Sequence, residues 1–270
     1  MPDAPVLRPA RPAVPGVREV LRAHFPARSH AYPLHTHDAW TLMVVDQGAV
    51  VYHLDRREQL APQAAVTLLP PHVPHDGAAA SDAGFRKRVV YLAPDVLASV
   101  PLDRVLTTPL DGDRDLVREV SDLHTALLTA ATGVDTTDAE ERLTLLAGRL
   151  VARWGGPAPT PLRREAGRVS RLRAILDERA VTGVTLAEAA AELDSTPAAL
   201  VRAFQREVGM TPHRYLVGRR LEIARRRLLD GVSVADAAAD SGFFDQAHLT
   251  RHFRRYLGIP PGRFVRAFAG

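Results

Sequence analysis

The order of apolar and polar residues divides the chain into two textures. Up to about residue 93 the apolar residues come in short runs separated by turn-forming residues, at 40–45, 49–54, 64–69 and 86–92. Runs of that length predict strands, and Asp46-Gln47-Gly48 between the first two predicts a hairpin. Several short strands in succession predict a small barrel or sandwich. The spacing then changes to threes and fours. Leu116, Val120, Leu123 and Leu127 form one stripe and Leu143, Leu146, Leu150 and Trp154 another, which predicts two amphipathic helices joined by a turn at 132–137. GGPAPTP at 155–161 supports no helix and reads as a linker, after which Val169, Leu172 and Leu176 open a helical remainder. The fold class predicted is α+β with two domains. It comprises a flexible proline-rich arm at 1–16, a barrel at 17–110, a helical hairpin at 111–154, a linker at 155–167 and an all-α domain at 168–270.

Within the last segment one pattern occurs twice. LAEAAAEL at 186–193 returns as VADAAADS at 234–241, and FQREVGMTPHRY at 204–215 returns as FRRYLGIPPGRF at 253–264. The first pair is offset by 48 residues and the second by 49, so one extra residue has entered between Ser241 and Asp245. Each copy carries its own start and stop signals. Thr185 with Glu188, and Ser233 with Asp236, place a hydroxyl cap three residues before a carboxylate. Thr196 with Pro197, and Asp245 in the second copy, cap the following helix, and Gly209 and Gly258 end it. Short helix, tight turn, second helix is the helix-turn-helix, whose second helix can enter the DNA major groove.

The residues on the side away from Leu200, Phe204, Leu249 and Phe253 are the candidate DNA contacts. They are Thr196 at the cap, Ala198, Val201, Arg202, Gln205 and Arg206 in the first copy, and Gln246, Ala247, His248, Thr250, Arg251 and Arg255 in the second. Arginine can grip guanine through two hydrogen bonds, glutamine suits adenine, and alanine or threonine methyls can touch thymine. The arginine-rich stretch 212–229 between the copies, if helical, is a strut of roughly 26 Å. With the width of the units at its ends it can span the ~34 Å between successive major grooves.

Charge and composition narrow the classes further. The net charge of +4 is uneven: residues from Pro161 onward carry a balance of +7 and those before it −3, which predicts phosphate neutralisation by the helical part. The chain has no cysteine, which removes disulfides, thiolate nucleophiles and cysteine zinc sites. No apolar run of 18 residues predicts a membrane span, and the N-terminus lacks a signal-peptide pattern, so a cytoplasmic location is expected.

Residues 168–268 resemble the paired helix-turn-helix domain of the AraC/XylS family of bacterial transcription regulators. The resemblance is carried by Ala189, Ala190, Leu200, Arg202, Phe204, Gly209, Pro212, Ala224 and Leu228, and again by Ala237, Gly242-Phe243, Leu249, Arg251, Phe253, Gly258, Pro261 and Phe264. Asp194 departs from it, standing where the family often has glycine in the first turn. HTHDAW at 35–40 and LLPPHVPHDG at 68–77 resemble the two halves of the cupin motif, as in the sensor domain of many such regulators. The resemblance implies a cupin-like barrel holding a small-molecule effector and double-stranded DNA as a partner. It also implies a homodimer joined through the helical hairpin, RNA polymerase as a possible partner, and no enzymatic activity.

His35, His37, Trp40, Tyr52 and His75 are the candidate effector contacts, with His53 a further candidate. No cofactor is expected. Cupin enzymes usually add a glutamate four or five residues after the second histidine, where this chain has Thr41 and Leu42. Three readings of His35, His37 and His75 stay open: pocket lining, structural histidines, or ligands of a divalent transition metal, the last belonging with the alternative of a metal-dependent cupin enzyme.

Overall fold

The computed structural model describes residues 5–26, 30–133, 136–155 and 167–268. Most of the linker expected at 155–167 therefore lies outside the described residues, as do residues 1–4 of the arm and two residues of the 132–137 turn.

The first half forms two antiparallel sheets. The strands are β1 (Val6–Ala10), β2 (Val17–Phe25), β3 (Tyr32–His35), β4 (Trp40–Gly48), β5 (Val50–Leu54), β6 (Arg57–Ala61), β7 (Val66–Leu69), β8 (His75–Ala79), β9 (Phe85–Leu92) and β10 (Leu110–Asp111). One sheet has the order β1-β2-β9-β4-β7-β10 and the other β3-β8-β5-β6. Two sequence expectations need correction here. The expected arm contributes β1, paired with β2 from Val6↔His24 to Ala10↔Val20. Pro9 is tolerated because β1 is an edge strand, and Leu7 and Pro9 alternate inward. The runs at 40–45 and 49–54 do not form a hairpin, because β4 pairs with β7 and β9 while β5 pairs with β6 and β8. The chain turns from one sheet to the other at Gly48, whose φ is +75° and whose absent Cβ would lie 2.3 Å from the Gly84 carbonyl oxygen.

Helix α1 (Leu102–Thr107) leads to the helical pair, α2 (Arg114–Ala130) and α3 (Thr137–Trp154). Both predicted stripes are buried in one cluster with Trp40, Leu42, Val44, Val90 and Leu92. They cover the outer face of the larger sheet within the chain, so they are not free to form a subunit contact. The face of the pair left open carries Leu145, which is 68% exposed.

The all-α half contains α4 (Arg168–Glu178), α5 (Leu186–Glu192), α6 (Pro197–Val208), α7 (Pro212–Leu229), α8 (Val234–Asp240), α9 (Gln246–Leu257) and α10 (Pro261–Phe268). The repeat is visible residue by residue: α5 and α8 have 7 residues each, α6 and α9 have 12, and the turn is one residue longer in the second copy. Thr185 and Glu188 form the reciprocal capping box, and Ser233, Thr196 and Asp245 each accept a backbone N–H at a helix start. Gly209 and Gly258 end α6 and α9 in the left-handed conformation.

Asp194 and Gly242 occupy equivalent turn positions, with φ of +46° and +79°. Asp194 is exposed and tolerates this conformation. A Cβ at Gly242 would lie 2.6 Å from the Val181 carbonyl oxygen. Gly242→Ala is therefore expected to destabilise the protein by at least about 2 kcal/mol, combining left-handed strain with overpacking. Urea unfolding measures this, and a change below about 0.5 kcal/mol would show that the turn rearranges freely.

The two halves are not independent. One continuous apolar core runs from the barrel interior, with Leu21, Phe25, Met43, Tyr52 and Phe85, into the second helix-turn-helix through Leu221, Leu249, Phe253 and Phe264. The first unit has its own cluster, built with α4 around Leu172, Leu200 and Phe204.

Candidate functional site

A cavity lies where the barrel meets the all-α half, holding about 900 Å³ of empty space, counting the part open to solvent. The barrel supplies Tyr32, His35, His37, Thr41, Met43, Tyr52, His75 and Lys87 to its wall. The all-α half supplies Gly218, Leu221, Glu222 and Arg225 from α7, and Tyr256 and Leu257 from the end of α9.

The three histidines meet because of strand register. His35 on β3 pairs directly with His75 on β8, and His37 follows two residues after His35. Their ring centroids are 4.5 Å apart for His35 and His75, 4.8 Å for His35 and His37, and 5.1 Å for His37 and His75. His35 Nδ1 donates to the Pro33 carbonyl at 2.7 Å and His75 Nδ1 to the Val73 carbonyl at 2.9 Å. His37 Nδ1 lies 3.1 Å from Glu222 Oε1, a partner from α7. Burial keeps the cluster neutral, pushing His37 down to about 3, with Arg225 adding to the effect, and His75 down to about 3, with His37 adding.

Alternation along β4 settles which aromatic residues face the cavity. Thr41 and Met43 point in, whereas Trp40 points to the helical pair, is 2% exposed and donates its Nε1–H to the Pro94 carbonyl at 3.3 Å. Trp40 is thus no pocket residue, and its place in the wall belongs to its neighbour. Tyr52 does line the cavity. His53, one residue on, is exposed and lies against Asp76. The Thr36 and Thr41 hydroxyls at the cavity have no hydrogen-bond partner among the described residues.

Lys87, the one lysine of the chain, also lies in the wall with its ammonium 4.4 Å from the Tyr32 ring centroid. Burial, with Arg225 adding, pulls it down to about 8. No carboxylate among the described residues is within ion-pair distance of it. Sequence reading passed over Lys87 because a lone lysine on a strand carries no motif.

Around the cavity the halves are joined by ions. Asp38 receives Arg18 at 2.6 Å, Arg226 at 2.9 Å and Arg219 at 3.3 Å. Glu19 pairs with Arg225, and Arg11 with Asp230. Glu222 accepts the Asp38 N–H at 3.0 Å and also pairs with Arg219. Burial pushes the Glu222 carboxyl up to about 7, Asp38 adding to this and Arg219 and Arg226 opposing it. The charge imbalance between the halves is thus partly matched within the molecule, since Arg219, Arg225 and Arg226 of α7 pair with acids of the barrel half.

The candidate DNA-reading residues form two exposed faces. Thr196, Ala198, Arg202, Gln205 and Arg206 on α6 are exposed, with Val201 half-buried beside them. Gln246, Ala247, Arg251 and Arg255 on α9 are exposed, with Thr250 half-buried. His248 is turned back toward the fold, its ring 5.2 Å from Phe243 and 4.9 Å from His252. Arg254, passed over in the sequence, is exposed three residues after Arg251 and four after Thr250, so helical spacing already placed it on this face. Phe244, in the turn before α9, is 91% exposed. Behind these faces the barrel touches the C-terminal ends of both helices. Arg56 donates to the Arg206 carbonyl at 3.1 Å, and His30 Nε2 donates to the Tyr256 carbonyl at 3.1 Å.

Comparison with known proteins agrees with this division. A family described as a helix-turn-helix domain matches residues 189–267, and one described as an AraC-like ligand binding domain matches residues 15–147. The transcriptional activator RhaS of Yersinia pestis (strain Pestoides F) is 25% identical over 245 residues, covering 87% of this chain and 89% of that protein. Among solved structures, ToxT of Vibrio cholerae O395 aligns with a TM-score of 0.60 at 10% identity, covering 99% of both chains. ToxT of strain SCE256 with an unsaturated fatty acid bound aligns at 0.58 and 12% identity, covering 99% of this chain and 96% of that one. At such identities these structures establish the shared two-domain fold. No helix among the described residues is long and apolar enough to cross a membrane.

Proposed function

We infer, for a chain that belongs to the AraC/XylS family of DNA-binding transcription regulators, that its effector sits between barrel and DNA-binding domain and acts by changing how the two dock. The observation that carries this reading is the shared wall. A ligand touching His35, Thr41 and Tyr52 on one side meets Leu221 and Glu222 of α7 and Tyr256 of α9 on the other. An effector can shift an arrangement only through different contacts in its two states, and a wall built from both domains supplies them. Because the barrel also holds the ends of α6 and α9, a change of docking reaches both reading helices.

The occupant we infer is a small, largely apolar molecule with an acidic group. Leu21, Met43, Val50, Leu69 and Val89 surround it, and the Lys87 ammonium supplies a buried cation lacking a carboxylate partner among the described residues. The fatty acid held by ToxT belongs to that chemical class. The Thr41 hydroxyl offers a second polar contact. Trp40 drops out of the proposed effector set and Lys87 enters it.

On DNA, Thr196, Ala198, Val201, Arg202, Gln205 and Arg206 face one major groove and Gln246, Ala247, Thr250, Arg251, Arg254 and Arg255 the next. His248 drops out of this set. Selecting binding sites from random duplexes tests this assignment. Arg251→Ala should relax preference at one base position by about 1–3 kcal/mol, and Arg202→Ala should do so about one helical turn away. A uniform loss over all sequences would make them phosphate contacts and remove the base-reading assignment. The protein works as a regulator in the cytoplasm and not as an enzyme, with RNA polymerase as a partner on the promoter. A homodimer through the helical pair would use the face bearing Leu145.

A further inference from the structure

We propose that Phe244 reads DNA, its ring lying against the C5 methyl of a thymine at the edge of the groove that α9 enters. The inference rests on the assignment of α9 as a reading helix and adds to it a contact of different chemistry. A residue-by-residue match of the two copies isolates Phe244. The Ser195 N–H binds the Ala190 carbonyl at 2.9 Å and the Phe243 N–H binds the Ala238 carbonyl at 3.0 Å, so these positions correspond at an offset of 48. The next residue in the first copy, Thr196, already caps α6, whereas the cap of α9 is Asp245, at an offset of 49. Phe244 is therefore the residue by which the second turn is longer, and it has no counterpart in the first unit.

The first copy shows that the turn closes without such a residue. Phe243 is the one that packs inward, its ring centroid 5.2 Å from His248 and 5.9 Å from His252. Phe244 is the most exposed large apolar side chain among the described residues. Its backbone is nonetheless held, because its N–H reaches His248 Nδ1 at 3.4 Å and the His248 N–H binds the Asp245 carboxylate at 2.6 Å. The ring thus stands just before the N-terminus of α9, next in the chain to the exposed Gln246 and Ala247. That end of a recognition helix is the one that meets base edges. Phenylalanine offers a base no hydrogen bond, and the apolar feature it can select in the major groove is the thymine methyl.

The test uses the full chain and a duplex site selected with the wild-type protein, in which each thymidine is replaced in turn by deoxyuridine. Deoxyuridine pairs as thymidine does and lacks only the C5 methyl. At one thymine, outside the base pair whose preference Arg251→Ala relaxes, the replacement should weaken wild-type binding about fourfold, the effect of one buried methyl group. Phe244→Ala should lose that penalty at that position alone, keep the wild-type response at every other thymine, and unfold thermally as the wild type does. Phe244→Leu, still apolar, should retain part of the penalty. An unchanged pattern of penalties in Phe244→Ala would overturn the proposal, whether the variant binds as the wild type does or more weakly to every sequence. Wild-type DNA binding with loss of transcription by RNA polymerase would overturn it too, by turning the ring toward the polymerase. If Arg251→Ala relaxes a base preference while Phe244→Ala alters nothing, only the thymine contact fails. If neither variant changes the pattern, α9 is not a reading helix and both assignments fall.

Discussion

Asp38→Asn is expected to lower the unfolding free energy by about 3 kcal/mol or more and to loosen the DNA-binding domain from the barrel. Asp38 is 16% exposed and is shared by Arg18, Arg219 and Arg226, so removing its charge leaves three cations without that partner in a poorly solvated junction. Burial alone would raise the Asp38 carboxyl, but Arg219, Arg226 and Arg18 outweigh it and hold it well below the usual carboxylate range. An acid lowered in the folded state contributes stability above its unfolded pKa, and loses it as pH falls through the folded value. The wild-type junction should therefore survive mild acid, whereas the variant lacks this contribution already at neutral pH. Urea unfolding, with hydrogen exchange along α7, reads both effects. A loss under 0.5 kcal/mol with unchanged exchange would show that the network is a solvated surface feature.

Lys87→Met should move stability and function in opposite directions. The Lys87 amine is lowered to about 8, so the unfolded chain binds more protons than the folded one between there and the usual lysine value of about 10.4. Wild-type stability should consequently rise with pH across that window. The methionine variant should lack the rise and be more stable at pH 7 by about 3 kcal/mol, since each tenfold loss of proton affinity on folding corresponds to about 1.4 kcal/mol. If the amine is the partner of an acidic effector, the same variant should lose the DNA-affinity response to that effector. Melting temperatures at pH 7 and 9.5 check the first half, and DNA titration with a panel of small carboxylic acids checks the second. A less stable variant that still responds would remove Lys87 from the pocket's chemistry.

What could be read from the sequence follows from how local each signal is. The doubled unit was legible because Thr185, Glu188, Gly209 and their counterparts act within one or two helical turns, and the structure has each where the spacing put it. The strands were legible, but their partners were not. Asp46-Gln47-Gly48 looks like a hairpin turn, and only the pairing of β4 with β7 and β9 shows that it is a corner. β1 was hidden by prolines that an edge strand accepts. The histidines could be grouped from their motif, whereas Glu222 lies 185 residues from His37 and nothing near it in the chain announces that contact. The ion pairs of Arg219, Arg225 and Arg226 on α7 were hidden for the same reason, since their acids Glu19 and Asp38 are on β2 and before β4.

Control of DNA binding from the cavity can be measured through Gly218 without knowing the effector. Gly218 sits on α7 in the cavity wall, and a Cβ built there meets nothing within 4 Å. Gly218→Ala should stabilise the helix by up to about 1 kcal/mol and leave DNA affinity unchanged. Gly218→Leu fills the cavity and should shift affinity for the selected site at least about fivefold from both wild type and the alanine variant. Equal affinity in all three proteins, with the leucine variant folded, would contradict control of DNA binding from this cavity.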